Sequence, residues 1–527
     1  MIQKIALISP LDCFDNYGLR SLSAFLKSRG IETTMVFLPS YDQIWKIVAH
    51  QNKPRLYSED LLNDLKTCVR DCDAMGITMM SCDRERVVQL VSSLKQLNKP
   101  VILGGVHPSS FPEDALEIAD QVIVGEGYEP LYEWCVDPGN RFTANLWVKT
   151  TESIIRNEIR PAMADIDALP FPDYGPENHY IAEKGRLKPM STRLLRKYMG
   201  SYYSVFTSHG CPFECSYCIN SRYKQLGKGY DCFRYHSVDY VIAELKYCLS
   251  LSPDLEYVSI PDDGFIFHDE AYIEEFSIKY RKEINLPFAV MGIIPSYLTR
   301  KKLHCLVSAG MIRTRTGFQS ASLKTLKSYR RPALLSQFVA CHDMLSSFPH
   351  MVFPYYDLII DNPLVDTEKD MVDSITFLLT LKGRFTLILY SLRMYCGTEV
   401  YEKAKALDLD PWYYHSHYGN YSRGLLTFII MLIQATGIRQ PARVLLSIYR
   451  RTGNKSLPAI LFKCLIGIWM IRQGIEHMRK GDVSTIPRFF LPLVNRKGRK
   501  GYPGWNLAKG AVPDHFIKDG TQQSRDL

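Results

Sequence analysis

The chain has 527 residues and a mass of 60.5 kDa, which is too large for one hydrophobic core, so two or three domains are expected. Apolar residues make up 46% and charged residues 23%, which excludes wholesale disorder. The best apolar window, residues 457–471, contains Lys463 and is too short for a membrane-spanning helix. The first ten residues lack the long apolar core of a secretory signal. Fourteen sparse cysteines predict reduced thiols or metal ligands in the cytoplasm.

The net charge of +9 is unevenly distributed along the chain. Residues 421–510 hold 16 lysines and arginines against Glu476 and Asp482 and so carry +14, whereas the rest of the chain carries −5. A one-sided basic segment indicates an acidic partner such as an anionic membrane, an acidic peptide or nucleic acid, although a solvated basic face gives the same pattern. Nucleic acid is disfavoured, because the segment lacks interleaved aromatic motifs and a recognition module.

Residues 1–150 alternate short apolar runs with helical stretches, which predicts a doubly wound, Rossmann-like parallel sheet. Its five strands are predicted at residues 4–9, 33–38, 74–79, 101–103 and 121–124. Ligands on such sheets bind at the carboxyl ends of strands. Small residues collect at two of these ends, in Gly104-Gly105 and in Gly125-Glu126-Gly127. A large cofactor could approach the backbone there.

A linker is predicted at residues 151–195, where a proline- and acid-rich stretch has neither helical nor strand periodicity. Residues 196–405 resume the alternation, with strands predicted at 204–207, 257–260, 288–291, 312–316, 356–360 and 387–390. Six strand–helix units predict a partial (β/α)6 barrel that is open on one side. Residues 406–527 are predicted to be mainly helical, with helices at 424–435, 441–451 and 457–479 and a loose tail after 498.

The most specific motif is a run of three cysteines, Cys211, Cys215 and Cys218, directly after an apolar strand. Three thiolates on one loop can each bind one iron of a [4Fe–4S] cubane and leave the fourth iron without a protein ligand. A closed zinc site needs four ligands, and His209 could complete such a set. Chance grouping is a further alternative. Most of the other cysteines lie in helical or apolar settings, which is typical of inert buried thiols.

This spacing, with Tyr217 before the third cysteine, resembles the radical S-adenosylmethionine (SAM) superfamily. The resemblance implies that SAM binds the open iron and is cleaved by one electron to a 5′-deoxyadenosyl radical, with an external donor such as flavodoxin or ferredoxin. It implies SAM contacts from residues at the ends of barrel strands, in addition to Tyr217: Asp262, Asp263, Gln319 and Ser320. A simple Asp-Asp-Gly turn is the alternative for either acid, and Gln319 replaces an acid of the family.

With the N-terminal α/β domain included, residues 1–405 resemble the cobalamin-binding radical SAM enzymes. The resemblance implies that cobalamin contacts the loops at the carboxyl ends of the first sheet: Gly104, Gly105, His107, Gly125, Glu126 and Gly127. No Asp-x-His-x-x-Gly motif occurs, so His107 is expected to make a hydrogen bond rather than to ligate cobalt.

The implied activity is C-methylation of an unactivated carbon in specialised metabolism, on a small-molecule, lipid or peptide substrate. One alternative is radical cyclisation, rearrangement or oxidation without methyl transfer. Another is a metal-stabilised binding protein. The C-terminal helices are expected either to form a lid on the barrel or to make peripheral contact with a membrane.

Overall fold

The computed structural model describes residues 1–12, 14–39, 56–200, 202–331, 334–410 and 423–480. They form two mainly parallel sheets and a C-terminal helical layer. This architecture confirms the predicted combination of a Rossmann-like domain, a partial (β/α)6 barrel and a helical C-terminal region. None of the helices within these ranges is long and apolar enough to cross a membrane. The tail predicted after residue 498 lies outside the described residues.

The first sheet contains the five predicted strands in the doubly wound order β5-β4-β3-β1-β2. β1 is buried on both faces, as expected for a central parallel strand covered by helices. Its elements are β1 Lys4–Ser9, α1 Tyr17–Ser28, β2 Glu32–Phe37, α2 Glu59–Cys68, β3 Ala74–Thr78, α3 Arg84–Leu94, β4 Val101–Gly104, α4 Val106–Ser110, α5 Pro112–Ile118, β5 Gln121–Ile123 and α6 Tyr128–Val136.

Four further strands extend this sheet to nine, and three of them come from the segment predicted to be a linker. They are β6 Leu146–Lys149, β7 Ile154–Arg156, β8 His179–Glu183 and β9 Arg186–Pro189. β6 and β7 continue the sheet beyond β5, and β8 pairs parallel to β2 with β9 outside it. Without β8, the outer edge of β2 would present unpaired backbone N–H and C=O groups. The segment after the proline-rich stretch supplies β8 and so covers this edge.

The second sheet is a six-stranded parallel half-barrel in the order β10-β13-β14-β15-β16-β17, while β11 and β12 form a separate hairpin. Its elements are α7 Thr192–Met199, β10 Tyr202–Ser204, β11 Ser208–His209, α8 Ile219–Tyr223, β12 Arg234–Tyr235, α9 Val238–Leu251, β13 Tyr257–Ile260, α10 Glu270–Glu283, β14 Phe288–Ile293, α11 Arg300–Ser308, β15 Met311–Gln319, α12 Leu323–Ser328, α13 Leu335–Ser346, β16 Tyr355–Asp361, α14 Thr367–Leu378, β17 Thr386–Ser391 and α15 Glu399–Ala406.

Three C-terminal helices, α16 Leu425–Thr436, α17 Gln440–Thr452 and α18 Ala459–Lys480, pack beside the last barrel strands. Near the end of α18, the Gln473 side chain donates to Thr386 Oγ1 at 2.7 Å and accepts from Tyr355 Oη at 2.8 Å. Tyr355 and Thr386 are the first residues of β16 and β17. The last turns of α18 therefore contact the amino end of the half-barrel, whereas a lid over the cofactors would cover its carboxyl end.

A buried acid of α9 lies against the first barrel strand. The hydroxyl of Tyr203 donates to Glu244 Oε1 at 2.5 Å, and Oε2 has no hydrogen-bond partner within the described ranges. Burial raises the pKa of Glu244 to about 8. The folded protein therefore holds a proton that the unfolded chain, with an ordinary glutamate pKa, releases at neutral pH.

We expect the stability of the protein to fall as the pH rises from about 5 to about 8, by on the order of 1.4 kcal/mol per pH unit from this group. The reason is that Glu244 binds its proton more tightly when folded. Glu244→Gln should remove this part of the pH dependence. Melting temperatures of both proteins at pH 6, 7 and 8 measure it, and parallel curves for the two proteins would contradict the assignment.

Candidate cofactor site

The cysteine loop leaves the barrel through the β11–β12 hairpin and ends where α8 begins, at Cys218. Gly210, just before Cys211, has a φ of +86°, and a Cβ there would lie 2.5 Å from the carbonyl oxygen of Cys232, so only glycine fits. Ser216 fixes the other side of the loop. Its amide donates to the carbonyl of Tyr329 at 3.0 Å and its hydroxyl to that of Ser328 at 2.9 Å.

The three thiols of the loop are withdrawn from solvent, Cys215 fully and the other two partly. Burial raises the pKa of Cys211 to about 11 and that of Cys218 to about 12, and the neighbouring cysteines add to both shifts. Thiols in this setting become thiolates only when a metal compensates their charge. The donor chemistry of the loop therefore fits an iron–sulfur cluster.

The alternative of a zinc site completed by His209 is not supported. Within the described ranges, no group of three or more His, Cys, Asp or Glu side chains is close enough to hold one metal ion. The ring of His209 lies 6.3 Å from that of His236. A cubane distributes three thiolates over three iron atoms, so it does not require them to converge on one point.

The two acids at the end of β13 occupy different environments. Asp262 is 2% exposed, and its Oδ2 accepts hydrogen bonds from the hydroxyls of Thr207 and Ser208, both at 2.6 Å. Its Oδ1 is buried and has no hydrogen-bond partner among the residues described, and burial raises the pKa of Asp262 to about 6. Asp263 is exposed and accepts from Asn220 Nδ2 at 2.7 Å.

Of these two acids, Asp263 is the one that acts on the cysteine loop electrostatically. Its charge contributes to the raised pKa of both Cys211 and Cys218. An exposed carboxylate beside the thiols can pair with an ammonium group of a ligand. Asp262 instead anchors the two residues that lead into the loop.

The segment after β15 places its two predicted SAM residues differently. Ser320 is buried, donates to Asp370 Oδ1 at 2.5 Å and accepts from the amide of Ser322 at 2.9 Å, so its hydroxyl is engaged within the protein. Gln319 has a φ of +68° at an irregularity in the pairing of β15 with β16. Its Nε2 lies 3.1 Å from the position that a Cβ on Gly317 would occupy. The Gln319 side chain therefore lies over the backbone of Gly317.

Arg331, which no sequence motif indicates, lies between the cysteine loop and β15. Its Nη2 donates to the carbonyl of Gly317 at 2.9 Å, and its Nη1 lies 3.3 Å from Tyr217 Oη and 3.9 Å from Cys215 Sγ. A guanidinium here can stabilise a thiolate or bind a carboxylate. No motif pointed to Arg331, because it follows a short helix and acts only through this tertiary contact.

The loop after β4 is shaped by backbone packing. Gly105 has a φ of +104°, and a Cβ there would lie 2.7 Å from Thr78 Oγ1, whereas a Cβ on Gly104 would meet nothing within 4 Å. His107 is buried, with Nδ1 2.8 Å from Ser81 Oγ and Nε2 2.9 Å from Asp114 Oδ2. Both ring nitrogens are engaged, which is the hydrogen-bonding role that the sequence predicts.

The loop after β5 connects the first sheet to the barrel. A Cβ on Gly125 would lie 2.3 Å from Tyr230 Oη, and the amide of Glu126 donates to that oxygen at 2.8 Å. Glu126 Oε1 forms an ion pair with Arg234 of β12 at 2.7 Å. Gly127 precedes α6 as its N-cap. Gly125 and Glu126 thus hold the β11–β12 hairpin, which carries the cysteine loop, against the first sheet. The sequence did not indicate this role.

The two candidate sites share one interface. α8, which directly follows Cys218, adjoins α4 through a hydrogen bond from Arg222 Nε to the carbonyl of Ser110 at 3.5 Å. The ring of Phe111 lies 6.5 Å from that of Tyr401 on α15. A cofactor at the carboxyl edge of the first sheet would therefore lie beside the segment that carries the third cysteine.

Comparisons with known proteins agree with this arrangement. Residues 3–134 match the model of the B12 binding domain family. The chain is 23% identical over 353 residues to the bacteriochlorophyllide d C-8(2)-methyltransferase of Chlorobaculum tepidum, covering 65% of this chain and 71% of that protein. Alignments with such relatives span between 49% and 71% of the relatives' own lengths.

Two solved structures share the fold. The cobalamin-dependent S-adenosylmethionine radical enzyme OxsB, with aqua-cobalamin and S-adenosylmethionine bound, superposes with a TM-score of 0.63 at 13% identity, over 94% of this chain and 75% of that one. The radical S-adenosylmethionine methyltransferase TsrM from Kitasatospora setae, with tryptophan and a SAM analog bound, gives a TM-score of 0.59 at 14% identity, over 77% and 76%.

Proposed function

We infer that this chain, a radical SAM enzyme with a cobalamin-binding domain, transfers a methyl group to an unactivated carbon of its substrate. The observation that carries this inference is the cysteine loop. It carries Cys211, Cys215 and Cys218 on one loop between β11 and α8, next to the carboxyl edge of the B12 binding domain.

When bound, the cluster and SAM would supply a carbon-centred radical, and cobalamin would supply the methyl group. The protein's own residues orient and enclose these groups. Asp263 could pair with the ammonium group of SAM, and Arg331, whose Nη1 lies 3.9 Å from Cys215 Sγ, could bind its carboxylate. The ion pair of Glu126 with Arg234 fixes the two domains relative to each other, so that the reacting groups stay aligned.

The substrate is proposed to be a small molecule, lipid or peptide of specialised metabolism. One relative acts on a bacteriochlorophyllide, and TsrM was solved with a tryptophan substrate. An external one-electron donor such as flavodoxin or ferredoxin is proposed to reduce the cluster. The bacteriochlorophyllide relative and TsrM are both named methyltransferases, which favours methyl transfer over radical cyclisation, rearrangement or oxidation and over a purely metal-stabilised binding role.

We also propose that the protein works in the cytoplasm. The cysteines of the described residues are free thiols. Reduced thiols and a radical SAM cluster both require a reducing compartment.

Anaerobic reconstitution with iron, sulfide and cobalamin tests the proposal without knowledge of the substrate. With SAM carrying a deuterated methyl group and a strong reductant, we expect formation of 5′-deoxyadenosine and transfer of the deuterium label to the bound cobalamin. Formation of 5′-deoxyadenosine without labelled cobalamin would favour the alternative radical chemistry. Failure to cleave SAM would contradict the assignment altogether.

A further inference from the structure

α18 carries apolar side chains on two sides. On its inner side, Phe462 and Leu465 are buried against Met431 and Ala435 of α16. On its outer side, large apolar residues follow one another at helical spacing and are exposed; we call this set the outer stripe, and it consists of Ile460, Ile468, Ile471 and Ile475. Ile460 is 62% and Ile471 67% exposed. A helix that is apolar on both sides is stable when both are covered, so the outer stripe indicates a second contact.

The charged residues of the C-terminal helical segment, which carries the outer stripe, have nearly all one sign. Residues 423–480 contain ten lysines and arginines and one acid, Glu476, which is buried. Lys463 on α18 itself is exposed, as are Arg450, Arg451 and Lys455 on and after α17. The segment that carries the outer stripe therefore combines exposed apolar and cationic side chains, with Lys463 on the same helix as the stripe.

Three occupants could cover the outer stripe: the remainder of this chain, a second copy or an external surface. Residues 481–527 contain eight basic and four acidic residues, so they are net positive as well. A second copy would bring the same cationic surface against itself. Charge complementarity thus selects an anionic surface with an apolar interior, which describes a bilayer containing acidic phospholipids.

We propose that the outer stripe of α18 docks on anionic membranes and makes the protein a peripheral membrane protein. The isoleucines enter the region between headgroups and acyl chains, while Lys463 and its basic neighbours pair with the lipid headgroups. The helix lies in the interface and does not cross the bilayer, since no helix of the described residues is both long and apolar enough to do so. This proposal is independent of the methyl-transfer function.

Cosedimentation of the full chain with vesicles tests it. Vesicles of phosphatidylcholine with phosphatidylglycerol are compared with vesicles of phosphatidylcholine alone, at low and high salt. We expect at least about tenfold stronger binding to the anionic vesicles, weakened by salt because screening shortens the range of the attraction. Equal or negligible binding of the wild type to both would overturn the proposal.

Two variants and a matched control locate the contact. The double variant Ile468→Asp and Ile471→Asp should lose at least about tenfold in affinity for anionic vesicles, because it places two charges in the docked face. Ile278→Asp, on α10, changes an isoleucine that is 63% exposed and should bind like the wild type. Lys463→Glu should weaken binding mainly at low salt.

The remaining outcomes also decide the proposal. All substituted side chains are exposed, so the variants are expected to fold like the wild type. Melting temperatures close to that of the wild type check this. Unchanged vesicle binding by the double variant would show that another surface docks. A wild-type dimer that dissociates in the double variant, seen by light scattering, would show that a second copy covers the outer stripe and would overturn the proposal.

Discussion

Replacing Cys215 with alanine is expected to abolish cluster binding and SAM cleavage together. Cys215 is the buried member of the three cysteines, and its sulfur lies 3.9 Å from Arg331 Nη1. A cubane held by three thiolates loses one of its three anchors when one is removed. Iron in the anaerobically reconstituted protein should fall from about four atoms per chain to fewer than one. Formation of 5′-deoxyadenosine should fall to the level of a control without protein.

The matched control for this experiment is Cys232→Ala. Cys232 is exposed and lies close to the same hairpin, where its thiol is 3.5 Å from Asp231 Oδ1. It therefore shares the neighbourhood of the cysteine loop without being part of the motif. Its replacement should leave the iron content and SAM cleavage unchanged. Full activity of Cys215→Ala, or a cluster lost in Cys232→Ala alone, would contradict the assignment of the ligands.

Five strands of the first sheet and the six strands of the half-barrel could be predicted because they are short buried runs rich in β-branched and large apolar residues, whereas β6 to β9 were not predicted. β13 was predicted at the residues where it is found, and β16 to within one residue at each end. β10 was predicted at 204–207 but ends at Ser204. The chain turns out of the sheet after it, because Ser208 and His209 pair with β12 instead of with β13. Apolar periodicity does not distinguish these two partners.

The contacts that position the site could not be predicted, since they join residues far apart in sequence. Glu126, which is predicted to contact cobalamin, forms an ion pair with Arg234, 108 positions later, and no local pattern indicates that pair. Arg331 reaches Cys215 from a segment without a motif. The cysteine spacing was informative on its own because the three side chains lie on one loop, so that local sequence determines their neighbourhood.

The C-terminal helices show the same limit. The sequence predicts their positions, and α16 and α18 are found close to them. It could not decide between a lid and a membrane contact, because both require an amphipathic or apolar helix. The observations on which the membrane proposal rests are tertiary: Gln473 bonds to residues at the amino end of the half-barrel, and the outer stripe is exposed.

Replacing Asp263 with asparagine is expected to weaken SAM binding without loss of the cluster. Asp263 is exposed beside Cys211 and Cys218, where a carboxylate can pair with the SAM ammonium. Loss of one hydrogen bond to a charged group costs about 1.5–3 kcal/mol, so the Kd for SAM should rise by roughly ten- to a hundredfold. Equilibrium binding of SAM to the reconstituted protein measures this, and the visible spectrum reports the cluster.

Substitutions of the neighbouring Asp262 should separate anchoring from ligand binding. Asp262→Asn keeps an oxygen that can accept from Thr207 or Ser208, so SAM affinity should stay within about threefold of the wild type. Asp262→Val removes the carboxylate that accepts from the hydroxyls of Thr207 and Ser208. Because this site is buried, the two hydroxyls would be left without a partner, and the start of the cysteine loop should be displaced. We expect this variant to bind less iron. If Asp262→Asn instead lost SAM while Asp263→Asn retained it, the roles of the two acids would be reversed, and the buried Oδ1 of Asp262 would be the atom that meets the ligand.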